Sequence, residues 1–136
     1  MSKKRVVITG LGIVAPNGVG IEAFTHALKN GVSGIRHDAE LERLQFSCQI
    51  AGTPIISEEL KRTYFTDLEL RNFNSTGILY GVMAGMEAWQ DAGLSIEHNE
   101  FPDWDSGTIF GTGTSGIDKF RESIYKIDNF ETRKLG

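Results

Sequence analysis

A glycine-rich turn near the start of the chain has the spacing of a phosphate-binding loop. Gly10, Gly12 and Ala15 match the pattern GxGxxA, and they follow a β-branched run at residues 5–9 that predicts a short buried strand. In dinucleotide-binding folds such glycines let backbone amides approach a pyrophosphate at the N-terminus of a helix. The spacing of this turn therefore suggests a binding site for NAD or NADP.

The residues after this turn argue against a nucleotide. A helix would have to begin there, yet Pro16, Gly18 and Gly20 fall in its first two turns. An interior proline costs a helix about 3 kcal/mol, and a glycine about 1 kcal/mol, relative to alanine. The acidic residue expected about 20 positions further on is missing, because residues 29–36 read KNGVSGIR. The pattern instead predicts a strand, an irregular loop and a helix that begins near Ile21.

A second turn, GTGTSG at residues 111–116, is a literal GxGxxG between a predicted strand at 108–110 and a predicted helix. Glu131 lies 20 residues after the first glycine, near the place of a ribose-binding acid. Only 11 residues separate the last glycine from Asp128, which is too few for a crossover helix, a loop and a strand. The pattern favours a turn at which main chains pass closely, and a nucleotide-binding module remains the alternative. The polar residues that would line the turn are Thr112, Thr114 and Ser115.

Nucleophilic and metal-binding side chains are sparse. The single cysteine, Cys48, lies in FSCQIA at residues 46–51, which alternates like a short strand and predicts an inward-facing, unreactive thiol. No cluster of cysteine and histidine has the spacing of a zinc site, so no metal is predicted. The other candidates are expected to be solvated: His26, His37, His98, Glu58 and Glu59.

The composition of the 136 residues is ordinary for one globular domain. The net charge of −4 comes from interspersed charges of both signs, which indicates neither nucleic acid nor an anionic membrane as a partner. The apolar run after the basic start MSKKR covers only residues 6–8, too short for a signal sequence or a membrane span. A cytoplasmic location is therefore expected.

Helical periodicity and capping residues divide the first half of the chain into elements. Ile21, Phe24, Ala27 and Leu28 recur at helical spacing, with a stop at residues 30–31. Residues 37–45 predict a loop with a turn of helix, and the strand at 46–51 follows. Ser57 is a predicted N-cap for a further helix that frays near Thr66.

Residues 75–92 carry the strongest helical pattern, with Gly93 as the predicted C-cap. One row of the helix holds Gly77, Gly81 and Gly85, and a second row of the same period holds Ala84, Ala88 and Ala92. Glycine is a poor helix former, so the glycine row indicates that another backbone packs closely against the helix there. The same pattern occurs in membrane helix dimers, but the apolar stretch is too short to span, and Glu87 and Asp91 interrupt it.

The last part of the chain predicts an acidic loop and a closing helix. Trp104 in the loop at 95–106 is expected to cover the core, although an exposed partner anchor is the alternative. The apolar stripe of the closing helix is made of Ile117, Phe120, Ile124 and Ile127.

Five sequence segments together resemble the N-terminal region of a known family of enzymes. VVITGLGIVAPNGVG at 6–20, GVSGI at 31–35, QDAGL at 90–94, SGTIFGTGTSG at 106–116 and ETRKLG at 131–136 occur in the order typical of the β-ketoacyl-acyl carrier protein synthases, the condensing enzymes of fatty-acid and polyketide synthesis. The resemblance covers almost all of residues 1–136 and only the first part of the family's length. It implies the N-terminal portion of a β-ketoacyl synthase domain with the layered α/β fold of thiolases.

The resemblance also implies a chemistry. Members of the family transfer an acyl group to a cysteine and condense it with a malonyl group, a decarboxylative Claisen condensation assisted by two histidines, with neither metal nor nucleotide. None of these three catalytic residues has a counterpart here, and Cys48 lies outside the family's nucleophile motif. Residues 1–136 alone are therefore expected to be inactive, and a noncatalytic interaction or structural partner is an alternative. The turn at Thr112, Gly113 and Thr114 would line the acyl channel, with Thr114 facing a shorter or more polar acyl chain.

The partners implied by the resemblance are an acyl carrier protein, the acyl substrate, and either a second copy or a complementing synthase chain. One departure concerns residues 71–76, which read RNFNST, with Asn74 and Ser75 where the family usually has a methionine-aspartate phrase. The nearby cations that could meet an acidic carrier protein are Lys61, Arg62 and Arg71, for which a merely exposed helix face is the alternative.

Overall fold

A computed structural model describes residues 5–72, 75–95, 103–114 and 116–134. The chain divides into two units, each considered by itself. Unit 1 is Met1–Tyr64 with Met83–His98, and unit 2 is Phe65–Val82 with Asn99–Gly136. Helices and two small sheets make up the described residues, which is compatible with part of an α/β protein.

Unit 1 contains both small sheets, and each is an antiparallel pair. Strand β1 (Val14–Ala15) pairs with β2 (Gly18–Val19), with Val14 opposite Val19. The two residues between these strands, Pro16 and Asn17, are types that favour turns. Strand β3 (Arg36–His37) pairs with β4 (Ile50–Ala51), and this pair is also antiparallel.

The helices of unit 1 begin and end largely where local capping predicts. Helix α1 (Ile21–Lys29) and helix α3 (Glu58–Tyr64) confirm two predictions, and the backbone N–H of Leu60 donates to the Ser57 hydroxyl at 3.0 Å. The short helix α2 (Ala39–Arg43) is the predicted helical turn, capped by the Asp38 carboxylate. Such caps satisfy amides that a helix N-terminus otherwise leaves unpaired.

Three strand predictions are wrong or only partly right. Residues 5–9 form no strand, and the side chains of Val6 and Ile8 are 95% and 83% exposed. The segment at 46–51 is strand only at Ile50–Ala51, and residues 108–110 form none. A β-branched run becomes a strand only where a partner satisfies its N–H and C=O groups. Among the described residues, the paired strands are β1 with β2 and β3 with β4.

Unit 2 begins with a helix that is not among the predicted elements. Helix α4 (Asp67–Asn72) starts directly after Thr66, where only fraying is expected. The Glu69 amide donates to the Thr66 hydroxyl at 3.3 Å, and the Thr66 amide donates to the Glu69 carboxylate at 2.8 Å. This reciprocal capping box, readable in the phrase TDLE, is the signal that was overlooked. The hydrogen bonds from Thr66 lower the pKa of Glu69.

Helix α5 (Thr76–Asp91) confirms the strongest helical prediction, and the boundary between the two units falls within it. At its start the buried Ser75 accepts a hydrogen bond from the amide of Ile78 at 3.4 Å. Beyond its end Gly93 adopts a φ of 73°. The apolar residues that are buried include Met83 and Ala27 in unit 1 and Leu79 and Phe65 in unit 2.

The closing helix α6 (Ile117–Asp128) forms as predicted and leads into a 3₁₀ turn at Thr132–Lys134. Its apolar stripe is not buried, because Ile117 and Phe120 remain 64% and 66% exposed. Trp104 is 90% exposed, so the expectation that it covers the core is wrong. Periodicity identifies an apolar face of a helix, but whether that face is covered depends on which elements lie against it.

The described residues hold no helix that combines the length and the apolarity needed to cross a membrane.

Candidate functional sites

The first glycine-rich segment packs its main chain directly on the alanine row of α5. A Cβ atom added at Gly10 would lie 2.6 Å from the Ala92 amide nitrogen, and one added at Gly12 would lie 2.6 Å from that of Ala88. Real Cβ atoms do not approach other atoms so closely, so only glycine fits at these two positions. A backbone therefore packs closely on α5 as predicted, but it lies on the alanine row and not on the glycine row, for which the contact was predicted.

Two carboxylates of α5 hold this segment. The Asp91 carboxylate accepts the amide of Leu11 at 2.9 Å. The Glu87 carboxylate accepts two amides, that of Ile13 through Oε2 at 2.8 Å and that of Ile21 through Oε1 at 2.7 Å. Ile21 is the first residue of α1, so Glu87 also satisfies an amide at the start of that helix.

The guanidinium group of Arg36 binds a backbone carbonyl of the same segment and two carbonyls outside it. Arg36 donates through Nη1 to the carbonyl of Pro16 at 3.3 Å and to that of Gly34 at 3.4 Å. Its Nη2 donates to the carbonyl of Thr53. Hydrogen bonds with one charged partner are stronger than neutral ones, so this side chain ties three loop segments of unit 1 together.

This arrangement does not fit a pyrophosphate at the first turn. The amides of Leu11, Ile13 and Ile21 already donate to carboxylates, whose negative charges would also repel a phosphate. In the sequence, Glu87 and Asp91 stand out only as interruptions of an apolar helix. The available signal was their spacing of four residues, which places both carboxylates on one face.

The second glycine-rich turn is open. A Cβ atom added at Gly111 or at Gly113 would meet nothing within 4 Å, so the predicted close passage of main chains is wrong at these positions. The predicted strand before the turn is absent, and Gly113 and Thr114 are exposed. Ser115 lies outside the described residues. Because no neighbouring chain lies close to this turn, there is room for a side chain at both glycines.

A pocket of about 270 Å³ in unit 2 connects this turn with the beginning of α5. It is lined by Gly77, Ile78, Gly81, Val82, Phe110, Gly111 and Thr112. A Cβ atom added at Gly81 would lie 3.1 Å from Cε1 of the Phe110 ring, so the glycine row makes room for an aromatic side chain. Of the three candidate acyl-channel residues, Thr112 lines the pocket.

A hydrogen bond links the start of α5 to the first turn of α6 in the same unit. The Thr76 hydroxyl donates to Oδ2 of Asp118 at 3.0 Å, and this bond lowers the pKa of the Asp118 carboxyl. Asp118 lies in the first turn of α6, where the helix dipole also favours a carboxylate.

Cys48 is exposed, so the expectation of an inward-facing thiol is wrong. The reason is that residues 46–49 do not continue the strand, and the alternation in FSCQIA therefore does not orient the side chain. His26 and His37 are exposed as predicted, and Nε2 of His37 lies 3.5 Å from the Glu42 carboxylate. His98 lies outside the described residues.

The candidate carrier-binding cations lie on helix surfaces. Nζ of Lys61 lies 2.6 Å from the Glu58 carboxylate, whose pKa it lowers. Arg62 and Arg71 are exposed, as is Glu59. Asn74 lies outside the described residues. Within the part of the chain that the structure describes, no group of three or more histidine, cysteine or acidic residues could hold a metal ion.

Comparison with known proteins identifies the class to which this fold and these turns belong. Residues 3–133 match the family model described as the N-terminal domain of β-ketoacyl synthase. The chain therefore belongs to the β-ketoacyl synthase family.

Individual relatives come from fatty-acid and polyketide synthesis. The chain is 33% identical over 118 residues to the 3-oxoacyl-[acyl-carrier-protein] synthase 2 of Vibrio harveyi, covering 87% of this chain and 27% of that protein. It is 32% identical over 130 residues to the chloroplastic 3-oxoacyl-[acyl-carrier-protein] synthase I of Arabidopsis thaliana, covering 92% and 26%. A granaticin polyketide β-ketoacyl synthase 2 of Streptomyces violaceoruber is 25% identical over 125 residues, covering 92% and 29%. The chain thus spans 26% to 29% of the length of these relatives.

Proposed function

We propose that residues 1–136 form the N-terminal portion of a β-ketoacyl synthase domain with the layered α/β fold of thiolases. The observation that carries this proposal is the family match over residues 3–133. The whole protein would take an acyl group from an acyl carrier protein as a thioester on cysteine. It would then condense that group with a malonyl thioester and release carbon dioxide, with no metal or nucleotide as cofactor.

We propose that the turn at Thr112, Gly113 and Thr114 lines the acyl channel. The pocket beside Thr112 supports this, because its other walls are glycine backbone, aliphatic side chains and the Phe110 ring. An alkyl chain is bound by burying its surface against such groups, at about 0.8 kcal/mol per buried methylene. The hydroxyl groups of Thr112 and Thr114 would suit a shorter or more polar acyl chain.

The partners that we propose are an acidic acyl carrier protein and a second copy of the chain or a complementing synthase chain. Exposed cations on helix surfaces, Arg62 and Arg71, support the first partner. The exposed apolar face of α6 supports the second, because large exposed apolar patches mark interaction surfaces. A cytoplasmic location stays a prediction.

The channel proposal predicts a change of acyl preference. In the whole synthase proposed above, called the full-length chain below, Thr112→Val replaces a hydroxyl with a methyl group. It should raise kcat/KM for a long saturated acyl thioester about threefold relative to a short one. Thr114→Val should shift the preference in the same direction. The readout is condensation with acyl carrier thioesters of two chain lengths.

The control for these variants is Thr132→Val, an exposed threonine outside the turn. It should leave the preference unchanged. The channel assignment is wrong if Thr112→Val and Thr114→Val both keep the acyl preference of the unaltered chain. Whether the unaltered chain condenses the two thioesters at all is a separate test of the proposed activity.

A second prediction concerns the exposed thiol. Residues 1–136 alone should form no acyl-enzyme, because Cys48 lies in FSCQIA and not in the family's nucleophile motif. Mass spectrometry after incubation with an acyl thioester would detect the adduct. In the full-length chain, Cys48→Ser should retain acyl-enzyme formation. An acyl group found on Cys48 would contradict the expectation that this residue takes no part.

A further inference from the structure

The glycine-rich segment at residues 10–20 contains a group of backbone amides arranged as an anion site would be. The amides of Ile13 and Ile21 both point at one carboxylate, and Ile21 opens a helix of nine residues. Between them Gly20 has a φ of 89°, a conformation that L side chains rarely adopt. Its absent Cβ would lie 3.2 Å from Oε1 of Glu87. The backbone is therefore shaped around this carboxylate.

We propose that Glu87 is an internal anion that holds the glycine-rich segment in its folded shape. It fills from within the chain the place that a bound phosphate or carboxylate takes in an anion-binding loop. Both of its oxygens are used, one at the β1–β2 hairpin and one at the start of α1. Because β2 leads directly into Gly20, a single side chain fixes the path of the chain from the hairpin into the helix.

The geometry distinguishes Glu87 from Asp91. Glu87 receives two N–H groups on two different oxygens, whereas Asp91 receives the amide of Leu11 on one oxygen. A carboxamide has one acceptor oxygen and one donor NH₂ group. Glu87→Gln must therefore place a donor against a donor, whereas Asp91→Asn can keep its single acceptor. Unequal effects of two chemically identical changes are the signature of the proposal.

The experiment measures amide hydrogen exchange in the full-length chain. Glu87→Gln should speed exchange at Ile13, Gly20 and Ile21 about tenfold or more, and Asp91→Asn should change these rates much less. The exposed Glu59→Gln is the control for loss of a charge in the same unit. With Glu87→Ala, adding sodium formate should slow exchange at Ile13 and Ile21 again, because formate supplies the missing carboxylate. Sodium chloride at the same ionic strength should not.

A measurement on the unaltered chain covers the case in which a variant does not fold. Couplings through the hydrogen bonds should connect the amide nitrogens of Ile13 and Ile21 with the carboxylate carbon of Glu87. Absence of both couplings would overturn the proposal. So would equal exchange in Glu87→Gln and Asp91→Asn, or an effect of formate that is the same in the unaltered chain and in Glu87→Ala.

Discussion

Gly12→Ala is expected to lower the free energy of unfolding by about 3 kcal/mol, at the upper end of what overpacking usually costs. The new methyl carbon would lie 2.6 Å from the Ala88 amide nitrogen and 2.9 Å from the Ala84 carbonyl carbon. Both atoms belong to the backbone of α5, which cannot turn aside as a flexible side chain can. Urea unfolding of the variant beside the unaltered chain would measure the loss.

The matched control is Gly107→Ala, because a Cβ atom at Gly107 would meet nothing within 4 Å. Its effect should stay within about 1 kcal/mol, and alanine could even stabilise the chain by reducing the freedom of the unfolded state. Equal losses in the two variants would show that the segment does not lie on the alanine row.

Met83→Ala is expected to cost about 3 kcal/mol, because truncating a buried methionine typically costs 2 to 5 kcal/mol in lost burial and cavity formation. Met83 is 1% exposed, and it is the largest of the fully buried side chains among the described residues. Unfolding by urea, monitored by circular dichroism of the helices, would give the difference between the variant and the unaltered chain.

Two further variants separate a cavity from a general effect on helices. Met83→Leu conserves most of the volume and should cost less than about 1.5 kcal/mol. Leu28→Ala removes an apolar side chain that is 60% exposed in α1, and it should cost clearly less than Met83→Ala. If Met83→Ala were as mild as Leu28→Ala, Met83 would not lie in a packed core.

The family and most of the helices could be predicted from the sequence. The phrases at 6–20 and 90–94 carry the resemblance that the family match confirms. Helices α1, α3, α5 and α6 were predictable because their hydrogen bonds join residues four apart and their caps lie within the same short stretch. Even the missed α4 has a local signal in Thr66 and Glu69.

Only the tertiary structure decided which apolar residues are covered and which strands pair. Cys48 lies in an alternating segment and Trp104 is a large aromatic in a loop, so both are expected to be covered, yet both are exposed. Neither alternation nor side-chain type says what lies opposite a residue in the fold. The pocket beside Thr112 likewise depends on the Phe110 ring meeting Gly81, a contact between distant parts of the chain.

The sequence by itself determined the family, the helices and their caps, since each rests on residues that are neighbours along the chain. The tertiary structure decided how the first glycine-rich segment is held. Asp91 and Glu87 lie 80 and 74 residues from the amides of Leu11 and Ile13 that they accept. Such distant pairs form only when other contacts in the fold offset the entropy lost on closing the long loop between them. Periodicity reports only on residues that are close along the chain, so it cannot predict these pairs.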